Sequence, residues 1–334
     1  MTAPLVSVVV PVFNGAKYLR AALDSALGQT YSALEIVAVD DGSTDASPEI
    51  LASYGSRLTV IRQKNSGVAA ARNASIQASC GKFIAFLDQD DWWLSEKIEK
   101  QVALFQKDSR LGLVHTGILQ YSEGAAGFVD PVYPTHLSPQ LQGRCYQQLL
   151  LENAVYNSSV MIRRAALADS GLFNTDMAGN TVQDYDLWLR LAQHYPFGYI
   201  AEPLTVLRLH GEQGTWDRRA MLVDELRLLE RTVRPRDIYD STPLRTRFAR
   251  LLDELGVAHL DACSPRLARS CFARALRMRW SSRVALLFTA SFLPSATIGW
   301  LRCQRARWRK SVTGAMGKPV SRHGDKWVEI TSVR

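Results

Sequence analysis

Residues 1–116 alternate between short apolar runs and longer stretches with helical periodicity. The apolar runs, which predict strands, are Leu5–Val10, Leu34–Val39, Leu58–Arg62, Phe83–Leu87 and Leu113–Thr116. The stretches between them, which predict helices, are Ala16–Gly28, Asp45–Tyr54, Gly67–Ser79 and Ser95–Gln106. Several runs are continuous and β-branched, as expected for strands covered by helices on both faces. The order predicts an α/β fold with an open, mostly parallel, Rossmann-like sheet.

The pattern changes after this region, and a loop with Gly and Pro runs from Gly117 to Gly143. The segments that follow predict helices at Tyr146–Asn153, Arg163–Asp169 and Asp184–His194, and short strands at Ser158–Ile162, Phe197–Ile200 and Leu204–Leu209. From Trp216 onward the pattern is helical and rich in Leu, Ala and Arg. We therefore predict an α/β domain over residues 1–214 and an all-helical, basic C-terminal region over residues 215–334.

Polar residues follow each of the first four predicted strands, where the strand ends. They are Pro11-Val12-Phe13-Asn14-Gly15, Asp40-Asp41-Gly42-Ser43-Thr44-Asp45, Lys64-Asn65-Ser66-Gly67 and Asp88-Gln89-Asp90-Asp91. In an open α/β sheet, ligands bind outside the carboxyl ends of the strands. The four segments should therefore lie along one rim, which predicts a binding site there.

The fourth segment concentrates negative charge, because Asp88, Asp90 and Asp91 stand within four residues. Carboxylates this close repel one another unless they are protonated or paired with a cation. Carboxylate oxygens suit Mg²⁺ or Mn²⁺, which also bind diphosphate oxygens. For Asp88 and Asp90 we favour metal and donor binding over a solvated turn, whereas Asp91 is expected to cap the next helix.

The second and third segments have two interpretations each. Asp40 or Asp41 either accepts a nucleobase N–H or forms an Asx-turn. Lys64 and Arg72 either bind phosphate or lie on a solvated surface. Gly67 allows close backbone approach at the start of a helix.

Two other nucleotide-binding templates are not supported. No G-x-G-x-x-G follows the first strand, and no G-x-x-x-x-G-K-[ST] is present, so a dinucleotide oxidoreductase and a P-loop NTPase have no sequence support. The five cysteines form no C-x-x-C pair, which argues against a disulfide framework and a zinc site. We see no signal peptide at the start, and together these features favour the cytoplasm.

These residues, in this order, resemble the family 2 inverting glycosyltransferases of the GT-A fold. The resemblance covers about residues 5–212 and rests on VSVVVPVFN, EIVAVDDGSTD, NSGVAAARN, FIAFLDQDDWW, NSSVMIRRAAL and QDYDLWLRLA. It implies transfer of a sugar from a nucleotide diphosphate donor, with UDP the expected nucleotide, to a glycan or lipid-linked glycan hydroxyl. It also implies a divalent metal, Mg²⁺ or Mn²⁺, and a role in polysaccharide or glycolipid assembly.

The resemblance also assigns roles by position. Pro11 and Phe13 would border the base pocket, Asp41 would contact the base, and Arg72 would help to position the diphosphate, to which Lys64 can add a charge-assisted bond by its own chemistry. Asp88 and Asp90 form the D-x-D, in which Asp90 is the expected metal ligand and Asp88 contacts metal and donor. His210 falls where some members place a metal or diphosphate contact, although a structural histidine is an equal alternative.

Asp184 falls where the family keeps its general base. With an ordinary pKa near 3.9, an aspartate is ionised at pH 7 and can accept the acceptor's proton. The alternative is a helix cap, because Asp184 stands at the start of a predicted helix. The family usually has Glu-Asp here, whereas this chain has Gln183-Asp184.

The basic charge of the chain is concentrated in its tail. Residues 264–334 contain 15 Lys and Arg and 2 Asp and Glu, a net charge of +13, so the remainder carries 8 − 13 = −5. Val284–Leu301 is uncharged, with arginines on both sides. We favour helices resting on an anionic membrane surface, with Trp280, Trp300 and Trp308 near the headgroups, over a soluble bundle.

Two other classes of function were considered. A GT-A fold that binds a nucleotide or sugar without turnover has Gln183 as its only support in the sequence. An RNA-binding module led by the tail would need aromatic platforms or an RNP-like motif, which are missing, so we expect no nucleic-acid partner. We therefore predict a cytoplasmic enzyme, peripheral on the cytoplasmic face of the membrane.

Overall fold

A computed structural model describes residues 3–122, 127–129, 141–176, 181–210 and 217–293. Within these residues the strands are β1 Val6–Val12, β2 Leu34–Asp40, β3 Thr59–Arg62, β4 Phe83–Phe86, β5 Trp92–Trp93, β6 Leu113–Ser122, β7 Gly127–Val129, β8 Met161–Arg163 and β9 Phe197–Leu209. The helices up to residue 194 are α1 Leu19–Leu27, α2 Ser47–Ala52, α3 Val68–Ala78, α4 Lys97–Lys107, α5 Tyr146–Leu151, α6 Arg164–Ser170 and α7 Gln183–His194. Those that follow are α8 Arg218–Thr232, α9 Pro235–Asp240, α10 Thr242–Asp261, α11 Pro265–Met278 and α12 Ser282–Ala290.

The described strands form one sheet in the order β3-β2-β1-β4-β8-β6-β9-β5, with β7 paired to β6. Strands β1 to β4 are mutually parallel, and β6 is parallel to β9. Strand β8 is antiparallel to both of its neighbours, and β5 is antiparallel to β9. The predicted α/β fold with a mostly parallel sheet is confirmed.

The core lies where amphipathic helices cover the sheet. All of β1 is buried, as a strand covered on both faces requires. Helix α4 buries Ile98, Val102 and Phe105, which repeat at helical spacing. Residue 12 of β1 pairs with residue 40 of β2, and residue 9 of β1 pairs with residue 86 of β4. The loops that follow these three strands therefore leave the sheet on the same side, at the carboxyl ends of the strands.

Strand β9 differs from the prediction, because the two short strands expected at Phe197–Ile200 and Leu204–Leu209 form one continuous strand. The register against β6 shifts at Gly117, which pairs with Pro203. A Cβ on Gly117 would lie 2.6 Å from the Ala201 carbonyl oxygen. A glycine therefore permits the irregular pairing that keeps the strand continuous.

The chain divides into two compact units, Met1–Leu251 and Leu252–Arg334, at a point within α10. The first contains the sheet, and the second contains the end of α10 together with α11 and α12. In the second unit Phe272 of α11 packs against Gly256, where a Cβ would approach the ring to 2.5 Å. The helical pattern predicted from Trp216 onward is found here in α10 and α11.

Two sequence predictions concern residues outside the described ranges. The domain boundary expected near Gly214 lies there and stays a prediction, and so does the end of the uncharged segment Val284–Leu301, from residue 294 onward. Among the helices that the structure describes, none combines the length and the apolar character needed to cross a bilayer.

Candidate active site

The loop after β1 displays Phe13 on a fixed backbone. The Gln89 side chain pairs with Phe13 twice, accepting its N–H at 2.8 Å and donating to its carbonyl at 3.0 Å. Gly15 leaves room for this amide, because a Cβ there would lie 2.3 Å from Gln89 Oε1. The Phe13 ring is 44 % exposed, whereas Pro11 is buried beneath the loop. An exposed ring held this way is a suitable stacking surface for a planar base.

The loop after β2 holds the loop after β1. Asn14, in a left-handed conformation with φ of 48°, donates its N–H to Ser43 Oγ at 3.0 Å. Its side-chain oxygen accepts the Thr44 N–H at 2.8 Å, and Ser47 Oγ accepts the Gly15 N–H at 2.9 Å. These bonds satisfy loop N–H groups that strand pairing leaves open. The two strand ends therefore act as one rigid rim.

Asp41 is buried, and its carboxylate holds the loop between β3 and α3. It accepts bonds from Gln63 Nε2 at 2.7 Å and from the N–H groups of Ser66 and Gly67 at 2.8 Å each. Gly67 has φ of 89°, a conformation that favours glycine. Lys64 is exposed on this loop. Asp41 therefore positions the loop that carries Lys64, and its contact with a base stays a prediction.

Arg72 on α3 and Asp88 after β4 form a partly buried ion pair. Arg72 Nη2 lies 2.7 Å from Asp88 Oδ1, which also accepts a bond from Asn157 Nδ2 at 3.0 Å. The Arg72 side chain is only 7 % exposed and lies over the Phe173 ring, 5.3 Å from its centroid. Asn73 exchanges two hydrogen bonds with the Phe173 backbone, which keeps that ring in place.

Asp184 is close enough to this pair to respond to both charges. Burial raises the pKa of Asp184 from 3.8 to about 6; the nearby Arg72 charge lowers this pKa and the Asp88 charge raises it. Asp184 is the second residue of α7, whose N-cap position is held by Val182, so Asp184 lies in the first turn of the helix rather than at the cap position. Its Oδ1 accepts the Tyr185 N–H at 2.7 Å. A carboxylate with a pKa near 6 is well suited to accept a proton near neutral pH.

Asp90 contacts His210, which follows the end of β9. The Asp90 Oδ2 and His210 Nε2 atoms are 3.0 Å apart, and the His210 ring lies 4.5 Å from that of Tyr18. Burial, followed by the charge of Asp88, raises the pKa of Asp90. A carboxylate whose ionisation is disfavoured by a second carboxylate nearby is a typical setting for a cation.

Asp91 has a different role from the helix cap expected for it, because the next helix begins only at Lys97. Its buried carboxylate accepts bonds from Ser158 Oγ at 2.5 Å and from the Arg208 N–H at 3.1 Å. Ser158 Oγ also accepts the Asp88 N–H at 3.2 Å. Asp91 thus ties the end of β4 to the turn Asn157–Ser159 and to β9, two residues before His210.

Four residues that help to build the site were not singled out in the sequence: Gln89, Asn157, Ser158 and Arg208. Asn157 and Ser158 belong to a motif that carried the family resemblance, but their partners are distant in the chain. The Arg208 guanidinium lies 4.6 Å from the ring centroids of both Tyr18 and Trp92. Only the folded sheet brings these groups together.

The acidic residues near His210 offer donors for a divalent metal. Within the described ranges no three acidic, histidine or cysteine side chains gather as a complete metal site. Asp90 and His210 nevertheless place an oxygen and a nitrogen 3.0 Å apart, with Asp88 close by. Carboxylate oxygens of this kind fit Mg²⁺ or Mn²⁺ when phosphate oxygens complete the coordination, and the imidazole nitrogen makes the transition metal Mn²⁺ the better fit of the two.

Known structures share this fold. The crystal structure of S. aureus TarS 1-349 in complex with UDP has a TM-score of 0.53 and 16 % identity to this chain. The match covers 82 % of this chain and 88 % of that one. The mannosyltransferase PcManGT from Pyrobaculum calidifontis, in complex with GDP-Man and Mn²⁺, has a TM-score of 0.57 and 20 % identity. The match covers 93 % of this chain and 84 % of that one. The fold is therefore of the GT-A class.

The sequence comparisons define the family. Residues 7–168 match the model described as glycosyl transferase family 2. An uncharacterized glycosyltransferase of Rickettsia felis is 33 % identical to this chain where the two align. The alignment covers 64 % of this chain but only 35 % of that relative's length. The chain thus spans about a third of that relative. It belongs to the family 2 glycosyltransferases, as its motifs indicated.

Proposed function

We propose that this protein is a metal-dependent, inverting glycosyltransferase that moves a sugar from a nucleotide diphosphate donor to a hydroxyl of a glycan or lipid-linked glycan. The observation that carries the proposal is the convergence of Arg72, Asp88 and Asp184 from three separate elements. Arg72 supplies a positive charge, Asp88 a carboxylate on the donor side, and Asp184 a carboxylate with a raised pKa. Glycosyl transfer to a hydroxyl requires these three groups.

The nucleotide would bind along the rim after β1 to β3. The exposed ring of Phe13 would stack on the base, and the loop held by Asp41 would line its edge. Lys64 and Arg72 would neutralise the diphosphate through charge-assisted bonds. UDP is the nucleotide we expect, supported by the UDP complex of TarS, although the GDP-Man complex of PcManGT makes GDP the alternative.

The metal would be held by Asp90, with Asp88 and His210 as further donors. When bound, a divalent ion of this kind stabilises the negative charge of a leaving diphosphate. The Mn²⁺ in the PcManGT complex supports this assignment. Arg72 and Asn157 both bond Oδ1 of Asp88, so Oδ2 of Asp88 would be the oxygen that contacts the metal and the donor.

Asp184 would act on the acceptor. Its carboxylate accepts the proton of the acceptor hydroxyl while that oxygen attacks the anomeric carbon and forms the new glycosidic bond. The bond from the anomeric carbon to the phosphate oxygen breaks, and its electron pair leaves with the nucleoside diphosphate. Attack opposite the leaving group inverts the anomeric configuration.

The class of acceptor and the compartment follow from less direct observations. The family resemblance supports polysaccharide or glycolipid assembly. Among the described cysteines, Cys80, Cys145 and Cys271 are free thiols, which supports a reducing compartment such as the cytoplasm.

The test is turnover of nucleotide sugars. Purified protein is incubated with UDP-, GDP- and dTDP-sugars and Mn²⁺, and release of the nucleoside diphosphate is measured with and without glycan acceptors. We expect turnover with one nucleotide, loss of activity in EDTA, and recovery when Mn²⁺ is restored. Folded protein that is silent with all of these donors and acceptors would count against the proposal.

Asp184→Asn tests the assignment of the base, with Asp186→Asn as a matched control. Asp186 is two residues along the same helix, and its carboxylate pairs with Arg190 rather than with the site. We expect Asp184→Asn to lose at least about 100-fold in kcat, the scale of general-base catalysis, while binding the nucleotide diphosphate normally. Equal activity of Asp184→Asn and Asp186→Asn would instead favour a binding protein.

A further inference from the structure

Exposed hydrophobic side chains are concentrated in the C-terminal unit. Of the eight large hydrophobic side chains that are exposed among the described residues, five lie between residues 267 and 293. They are Leu267, Trp280, Leu286, Phe292 and Leu293. Trp280 is 74 % exposed in the turn before α12, and Leu286 is 70 % exposed on that helix. A cluster of this kind marks an interaction site more often than scattered single residues do.

Four residues define the surface that we call the α12 face: Trp280, Leu286, Phe292 and Leu293. Leu286 lies within α12, and Phe292 and Leu293 stand in the turn that follows it, where their N–H groups bond the carbonyls of Thr289 and Ala290 at 3.1 Å each. Phe292 is supported from beneath by α11, because the Arg269 guanidinium lies 4.7 Å from its ring and bonds the Ser291 carbonyl at 2.8 Å. The face is therefore held rigidly in place.

The charged residues of the segment that forms this face, residues 262–293, have a single sign. Residues 262–293 contain six arginines and no aspartate or glutamate. Arg283 forms an ion pair with Asp253 of α10, whereas Arg266 and Arg277 are exposed. Apolar side chains that include tryptophan and phenylalanine, surrounded by arginines, are typical of surfaces that lie in a membrane interface.

The charge also argues against two other occupants. A second copy of this chain would bring the same arginine-rich surface against itself, with no acidic residue in either segment to balance it. Residues 302–334 contain nine Lys and Arg and two acidic residues, so covering the face with this part of the chain would also oppose like charges. An anionic surface is the complementary occupant.

We infer that the α12 face docks on an anionic phospholipid bilayer, with Trp280, Leu286, Phe292 and Leu293 inserted among the headgroups and the arginines paired with lipid phosphates. The attachment is peripheral and does not cross the bilayer. It is independent of the sugar-transfer chemistry and would persist in a catalytically inactive variant.

The test is co-sedimentation of the full chain with vesicles. One set contains phosphatidylcholine alone, and the other an equimolar mixture of phosphatidylcholine and phosphatidylglycerol. We expect binding to the anionic vesicles to be at least about 100-fold tighter, since each arginine near the surface contributes about fivefold. The double variant Trp280→Ser/Leu286→Ser should bind the anionic vesicles at least about tenfold more weakly.

Tyr239→Ser is the matched control, because Tyr239 is also exposed, at 52 %, but lies on α9 of the other unit. It should bind vesicles as the wild type does. Equal melting temperatures without vesicles would show that the variants are folded. Wild-type binding by the double variant, equal binding to both vesicle types, or a preference for polyuridylic acid over anionic vesicles would each overturn the inference.

Discussion

Replacement of Asp184 by asparagine should make the protein more stable while removing its activity. Burial raises the pKa of this carboxyl from 3.8 to about 6, even though Arg72 opposes the rise. Because one pKa unit corresponds to about 1.4 kcal/mol, the ionised carboxylate destabilises the fold by up to about 3 kcal/mol above pH 6. Asparagine has the same shape and no charge, so it removes that cost. The expected rise in Tm at pH 8 is about 6–12 °C.

The pH dependence of this gain has a defined sign. A carboxyl whose pKa is raised by folding binds more protons in the folded state between pH 3.8 and about 6, so wild-type stability falls as the pH rises through that window. The advantage of Asp184→Asn should therefore be complete at pH 8 and vanish near pH 4. Differential scanning calorimetry at both pH values measures it.

Asp186→Asn provides the opposite expectation on the same helix. Asp186 is stabilised by Arg190, whose Nη2 lies 2.7 Å from its carboxylate, so losing this charge should lower the Tm slightly. If Asp184→Asn also lowers the Tm at pH 8, or leaves it unchanged, then burial does not destabilise the ionised Asp184 carboxylate. The assignment of its raised pKa would then be wrong.

Three further predictions concern the chemistry and the donor. The kcat/KM should fall about tenfold per pH unit below pH 6, as Asp184 becomes protonated, and a flat profile down to pH 5 would refute this. Arg72→Met should lower the free energy of unfolding, measured with denaturant, by about 3–5 kcal/mol, because it leaves Asp88 without its ion pair. It should also shift the fall in kcat/KM to higher pH, because the Arg72 charge lowers the pKa of Asp184. An unshifted pH profile would show that the Arg72 charge does not reach Asp184. Phe13→Ala should raise the donor KM about tenfold through lost stacking while changing unfolding stability by no more than about 0.5 kcal/mol, since the ring is 44 % exposed; an unchanged KM would place the base elsewhere.

The N-terminal half of the fold could be predicted because its signals are local. Strands β1, β2 and β4 are continuous apolar runs, and the polar residues after them stand at their carboxyl ends. The pairing of strands in parallel then brings those ends together, whatever the details of the loops. The strand β9 was predicted in two pieces, because its continuity depends on the close approach that Gly117 allows on a neighbouring strand.

The candidate site divides in the same way. The positions of Asp88, Asp90 and Asp184 were identifiable from motifs, since each motif is contiguous in the chain. The partners of these residues were not, because the contacts join positions about 70 to 120 residues apart, as in Asp88 with Asn157 and Asp90 with His210. Asp91 was assigned to a cap for this reason, whereas its carboxylate binds Ser158 and the Arg208 N–H.

The sequence alone determined which chemical groups are available and at which strand ends they stand, because periodicity and turn chemistry act over a few residues. The tertiary structure decided how those groups are tuned. Desolvation and neighbouring charges set the pKa of Asp184, and both depend on the packing of α7 against elements distant in the chain. Since electrostatic energies vary with burial and with distance, they emerge only when the surrounding side chains are in place.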